Sequence, residues 1–264
     1  GAVVIDGPKA VGKTETGTRI ARSHAFLDKD PAVRQVALAD PQLALEGVTP
    51  RLLDEWQTVP GIWNAVRHEV DRRKLKGQFL LTGSATPQDD QTRHTGTGRF
   101  SWLRMRPLTL SETGHSSNEV SLEAILQGEM PRGMSSDLQL RELVERLIIG
   151  GWPASQDLSL TQATKYAKNY LNQTARVDIG AVDGVKHDPI KVMALLRSLA
   201  RNAASETAIK TFAADAGGDA GPLHFETVTT YLNSLERIFV LEVQEAWAPA
   251  LRTRATLRGT PKRH

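Results

Sequence analysis

Apolar and polar positions divide the chain into two regimes. Up to about residue 110, short apolar runs alternate with loops; beyond it, apolar residues recur every three or four positions. Ala2-Val3-Val4-Ile5 is a continuous apolar run, as a strand buried on both faces of a parallel sheet requires. Lys13 to Ser23 can follow as a helix, and Leu52-Leu53 as a second short strand. Pro60 and Gly61 open a helix carrying Ile62, Trp63, Val66 and Val70 on one face, Gly77 can end it, and Phe79-Leu80-Leu81 resumes a strand. This is a β-α-β unit, for which a right-handed crossover is expected. The polar stretch from Gln91 to Gly98 reads as a loop leading to a strand-like segment from Trp102 to Leu110.

After Ser116-Ser117-Asn118 the period becomes helical. Leu140, Leu143, Val144, Leu147 and Ile148 form one apolar face, ended by Gly150-Gly151 and Pro153. Ala163, Tyr166, Ala167, Tyr170 and Leu171 form a second, and Val192, Leu195, Leu196, Leu199 and Ala200 a third. All three stripes read as core packing. Thr207 to Ala213 reads as a helix, Gly217 to Pro222 as a turn, and Phe225, Val228, Tyr231, Leu232 and Leu235 space a second helix, with a strand expected from Ile238 to Val243. That is the order of a winged helix-turn-helix. The outward residues of the second helix, Glu226, Thr227, Thr229, Thr230 and Asn233, include no base, so a helix packing on protein is at least as good a reading as one entering DNA.

The chemistry sits at the first strand's end. Gly7-Pro8-Lys9-Ala10-Val11-Gly12-Lys13-Thr14 fits G-x-x-x-x-G-K-[ST], a phosphate-binding loop. Its glycines let backbone N–H groups face an anion, Lys13 can reach the β- and γ-phosphates, and the Thr14 hydroxyl can ligate Mg²⁺. Glu15 completes the candidate nucleotide contacts, and the following helix N-terminus favours negative charge. Arg51-Leu52-Leu53-Asp54-Glu55 places two acids at a strand end: Asp54 to hold Mg²⁺ through water, and Glu55 as general base. Thr82-Gly83-Ser84 ends another strand, where the Ser84 hydroxyl either senses the γ-phosphate or sits in a plain turn. Arg99 is either an arginine finger or, with Arg104 and Arg106, a solvated strand-face charge; the solvated reading is favoured.

Composition adds boundaries. The 264 residues are 40% hydrophobic and contain no cysteine, which excludes disulfides and thiolate metal sites. The seven histidines show no ligand spacing. No apolar run approaches a membrane span and no signal peptide is visible, so a cytoplasmic protein without a membrane partner is expected. Net charge is only +3, but Arg252, Arg254, Arg258, Lys262 and Arg263 follow Glu245 without an acid among them. The chain starts inside an apparent strand and stops in this basic stretch, as a piece of a longer protein would.

The sequence resembles bacterial and archaeal AAA-type P-loop ATPases joined to a C-terminal domain of unknown function. The resemblance lies in the phosphate-loop residues, Arg51 through Gln57, Leu81 through Ser84, Gly98-Arg99, Arg106-Pro107-Leu108 with Glu112, Gly150 through Pro153, Leu196 through Asn202, and Thr227 through Leu235. It implies ATP binding and hydrolysis, a helical middle and a winged-helix segment, with Lys13, Thr14, Asp54 and Glu55 in the ATP site. Members usually begin earlier and continue into a further α/β region, nuclease-like in some.

The expected architecture is α/β: a P-loop parallel sheet with helices on both faces over 1–114, an all-α region over 115–204, and a winged-helix-like segment over 205–264. The expected function is Mg²⁺-dependent ATP hydrolysis coupled to the C-terminal part. The alternative is a nucleotide-gated module binding DNA or protein with negligible turnover. A small-molecule kinase ranks third, for want of a substrate signature. A homo-oligomer remains open.

Overall fold

The computed structural model describes residues 1–85, 96–130, 138–246 and 260–264. Most of the loop expected at 91–98, and Arg252, Arg254 and Arg258 of the basic stretch, therefore lie outside the described residues.

The described residues fall into two compact units: residues 1–9, 13–105 and 171–264 form the first, and 10–12 with 106–170 the second. The first unit holds a five-stranded sheet of β1 (Ala2–Asp6), β2 (Ser23–Phe26), β3 (Arg51–Asp54), β4 (Phe79–Gly83) and β5 (Phe100–Arg104). Their order is β2-β3-β4-β1-β5, and every pairing is parallel. Connections include α1 (Lys13–Ile20), α2 (Pro31–Ala39) and α3 (Gly61–Arg73). All five residues of β4 are buried, as expected for an inner parallel strand covered on both faces. Ile62, Trp63, Val66 and Val70 of α3 enter the same core as Leu53, Phe79 and Leu81. Trp63 stacks on Phe100 with ring centroids 4.0 Å apart, fixing α3 over β5. A Cβ on Gly17 of α1 would lie 2.9 Å from Leu52 Cδ1, so glycine permits the close approach of this helix to the sheet.

The same unit continues in a helical core. α7 (Ile179–Asp183), α8 (Pro189–Arg201), α9 (Ile209–Gly217) and α10 (Phe225–Arg237) bury Ile179, Val192, Leu195, Phe212, Val228 and Leu235 together. Asp188 caps α8 by accepting from the Ile190 N–H, and Pro189 supplies a first-turn residue with φ already helical. Helix, turn and helix occur in the expected order, but the strand expected over 238–243 is confined to β6 (Val243–Gln244). It pairs antiparallel with β7 (Lys262–Arg263). Ile238 and Leu241 instead fill the helical core.

The second unit contains α4 (Leu122–Leu126), α5 (Leu140–Ile149) and α6 (Leu160–Gln173), the last of which runs on into the first unit. The core expectation for α5 fails here: Leu140 is 77% and Leu147 74% exposed, and Ile149 is its only buried residue. Periodicity gives a helix an apolar side but not a partner for it. Two further sequence expectations need correction. β5 spans Phe100–Arg104 rather than 102–110, and β2 and α2 had no expected counterpart, since Ser23–Phe26 is short and polar at two of four positions.

Candidate functional site

Because all five strands are parallel, the residues ending β1, β3 and β4 share the carboxyl edge of the sheet, where ligands of such folds bind. Register places Asp6 of β1 beside Gly83 of β4, and Asp54 of β3 beside Thr82. The phosphate loop leaves β1 at this edge and ends in α1. Gly7, Ala10 and Gly12 have φ of 150°, 62° and 100°, the positive values that curl a loop. Lys13 is 5% exposed, and its Nζ donates to the carbonyls of Gly7 at 2.8 Å and Pro8 at 2.7 Å. Burial lowers its pKa to about 8, against the opposing pull of Glu55, Asp54 and Asp6.

Asp54 is fully buried. Its Oδ1 accepts from the Thr14 hydroxyl at 2.8 Å and the Thr82 hydroxyl at 2.6 Å. Its Oδ2 is buried without a hydrogen-bond partner among the described residues. Such an orphan buried oxygen is costly, and a cation is the natural way to satisfy it. Thr14 Oγ1 and Asp54 thus form a hard oxygen pair suited to Mg²⁺.

Glu55 takes up a left-handed conformation, φ 53° and ψ 46°, which turns its side chain out of the strand's alternation. Its Oε2 accepts from Ser84 Oγ at 2.9 Å, from the Ser84 N–H at 3.4 Å, and from Gln57 Nε2. Gly83 leaves room for Gln57, whose Oε1 would sit 2.9 Å from a Cβ there. Lys13, Thr14, Asp54, Glu55 and Ser84 are therefore brought together, and Thr82 and Gln57 join them without having been singled out as site residues. For Gln57 the available signal was its position two residues after Glu55, an acid that needs orienting donors. For Thr82 it was a hydroxyl one strand away from Asp54.

The remaining candidate side chains make contacts of their own. Glu15 is exposed and pairs with Arg19 at 3.1 Å along α1. Arg99 precedes β5 at the opposite, amino edge of the sheet, where its carbonyl accepts from the Ala2 N–H and its side chain pairs with Asp71 at 2.9 Å. The length of β1, at about 3.3 Å per residue, separates it from the phosphate loop of its own chain. Lys9 projects from the loop to Asp178, with Nζ to Oδ1 at 2.6 Å. Arg104, read from sequence as a solvated strand-face charge, instead grips Asp6 through Nε at 2.6 Å and Nη2 at 3.2 Å. It also lies over the Phe239 ring at 4.2 Å and 3.6 Å from Glu242. Removing it leaves Asp6, 7% exposed, without this partner. Arg104→Ala should cost about 2 kcal/mol, between the values for exposed and buried ion pairs. Urea unfolding checks this, and an unchanged midpoint would refute it.

Residues 1–114 match a family model described as an AAA domain, and residues 140–264 one described as a domain of unknown function. Uncharacterised proteins of Mycobacterium bovis and Mycobacterium tuberculosis are each 31% identical over 119 residues, covering 44% of this chain and 27% of theirs. The match thus spans little more than a quarter of those relatives. Among solved structures, AMPPCP-bound DnaA from Aquifex aeolicus is 14% identical with a TM-score of 0.32, covering 89% of this chain and 81% of that one. The Aeropyrum pernix ORC1 protein in complex with DNA is 11% identical with a TM-score of 0.26, covering 99% and 82%. No helix among the described residues is long and apolar enough to cross a membrane. A phosphate loop at the carboxyl edge of a parallel sheet thus lies within the residues that match the AAA domain, and the residues that match the domain of unknown function follow it in the chain.

Proposed function

We propose that this chain binds ATP with Mg²⁺ and hydrolyses it. The observation that carries the reading is the Asp54 carboxylate, tied by one oxygen to Thr14 and Thr82 and buried and unsatisfied at the other. Gly7, Pro8, Lys9, Ala10, Val11 and Gly12 wrap the phosphates, and Lys13 leaves its two loop carbonyls for the β- and γ-phosphates. Thr14 and Asp54 are the residues that would hold Mg²⁺, which would supply neutralisation of charge on the phosphate oxygens. Glu55, aimed by Ser84 and Gln57, accepts a proton from the attacking water. Ser84 is a positioning residue for that carboxylate. Arg99 has no part in the site of its own chain, and Glu15 flanks the loop without a catalytic role.

Residues 1–114 are read as the ATPase domain, 115–204 as the helical region and 205–264 as a winged-helix-like segment. For the last we favour a protein partner over DNA. On α10 the Thr229 and Thr230 hydroxyls are spent on the Phe225 and Glu226 carbonyls, and its outward face has no base. A labelled duplex that shifts at low salt, with or without ATP, would reverse that preference.

Phosphate release and fluorescent-ATP binding by the parent and by Lys13→Ala test the main reading. The variant should lose binding, and full binding by Lys13→Ala would defeat it. A pH dependence follows from the same lysine. Its ammonium is intact below about 8 and is lost as pH rises through that value. A bound triphosphate favours the charged form, so ATP affinity should fall above that point, approaching about tenfold per pH unit. Dissociation constants on either side of this pH check it, and a flat profile would exclude Lys13 as the phosphate ligand. Folding itself responds with the opposite sign. Between about 8 and the ordinary 10.5 the unfolded chain binds more protons at this lysine, so its contribution to stability rises with pH.

A further inference from the structure

Two side chains of the phosphate loop are lysines, and they point in different directions. Lys13 turns into the loop, whereas Lys9, half exposed, reaches Asp178 at 2.6 Å. The Asp178 carboxylate is only 7% exposed. It ends a π-helical turn, Thr174–Asp178, inserted between α6 and α7. Such turns interrupt the regular ladder and are frequent at functional sites. Thr174, four residues earlier on the same turn, is 1% exposed, and its Oγ1 has no hydrogen-bond partner among the described residues. The segment therefore holds a buried carboxylate and an orphaned hydroxyl, and it leans on a cation supplied by the phosphate loop.

We propose that the Lys9–Asp178 ion pair is a nucleotide-sensitive latch, with Asp178 the positioning residue for Lys9. This rests on the ATP reading above and assigns its regulation. A triphosphate in the loop brings several negative charges beside Lys9 and draws its ammonium away from Asp178. The carboxylate is then buried without its cation, which destabilises the turn that carries it. Nucleotide occupancy is in this way converted into loosening of the α6–α7 junction, from which the helical core of α8, α9 and α10 continues. Linkage makes the effect reciprocal: the latch opposes nucleotide binding by the same factor with which nucleotide opens the latch.

The test uses the full chain, with Mg²⁺ and a non-hydrolysable ATP analogue as the probe. Backbone hydrogen exchange over residues 171–183 should rise several-fold on binding. In Asp178→Asn the same segment should exchange fast without nucleotide and gain little more, and the analogue should bind about five- to tenfold more tightly. Unchanged or weaker affinity in that variant overturns the latch. So does binding by the parent with exchange in 171–183 unaltered, a measurement that needs no variant. Lys9→Gln provides a second route, since it should also speed exchange without nucleotide, and protection equal to the parent's would count against the proposal. Failure of the parent to bind any ATP analogue would instead remove the nucleotide reading and the latch together, whereas binding without these changes removes the latch alone.

Discussion

Glu55→Gln should keep ATP binding and lose hydrolysis by a factor of about 10² to 10⁴, the range a positioned general base contributes. The substitution preserves the size of the side chain and removes its basicity. The position is well suited to such a test because the carboxylate is already held: Ser84 Oγ at 2.9 Å, the Ser84 N–H at 3.4 Å and Gln57 Nε2 converge on Oε2. The left-handed backbone at Glu55, at a cost of about 1–3 kcal/mol, is a further sign that its direction is set by its surroundings. Asp54, Thr14 and Lys13 keep their places, so affinity for a fluorescent ATP analogue should stay close to that of the parent at a pH well below 8, where Lys13 stays charged without the pull of Glu55. Phosphate release at saturating ATP is the deciding measurement. Turnover equal to the parent's would remove Glu55 as the base and leave a nucleotide-gated binding module as the better reading.

Gly7→Ala should abolish nucleotide binding and destabilise the fold by about 4 kcal/mol or more, among the largest effects expected of a single substitution. Two causes add. The residue sits at φ 150°, where side chains are strained. A Cβ would also come 2.1 Å from the Met105 carbonyl oxygen, a backbone atom with no rotamer to escape into. Nor can the Met105 segment withdraw cheaply, since its N–H donates to the Asp6 carbonyl at 2.7 Å and the preceding Arg104 grips the Asp6 carboxylate. Gly77→Ala is the matched control. Its φ is also positive, at 62°, but nothing lies within 4 Å of the added carbon. It should cost only the local strain, about 1 kcal/mol. Equal urea midpoints for the two variants would show that the contact with Met105 does not matter.

The core strands and the phosphate loop were legible because their signals are local. Ala2 to Ile5 and Phe79 to Leu81 are uninterrupted apolar runs, as strands buried on both faces require. The G-x-x-x-x-G-K-T spacing sets a loop conformation within eight consecutive residues. β2 was missed because Ser23-His24-Ala25-Phe26 has no comparable pattern; its strand state comes from pairing with β3. The apolar side of α5 was legible and its burial was not, since Leu140 and Leu147 remain exposed.

The sequence by itself determined the phosphate loop, the acids at the end of β3, the α/β order and the helical periodicity beyond it. Each depends on residues within a few positions of one another, where backbone geometry alone relates them. The tertiary structure alone decided which distant charges meet. Arg104 left the solvated face assigned to it and closed on Asp6, Arg99 fell at the sheet edge away from the phosphate loop, and Lys9 found Asp178 across 169 positions. Ion pairs of this kind are set by which strand neighbours which and by how deeply each carboxylate is buried. Neither quantity is written in the spacing of residues along the chain.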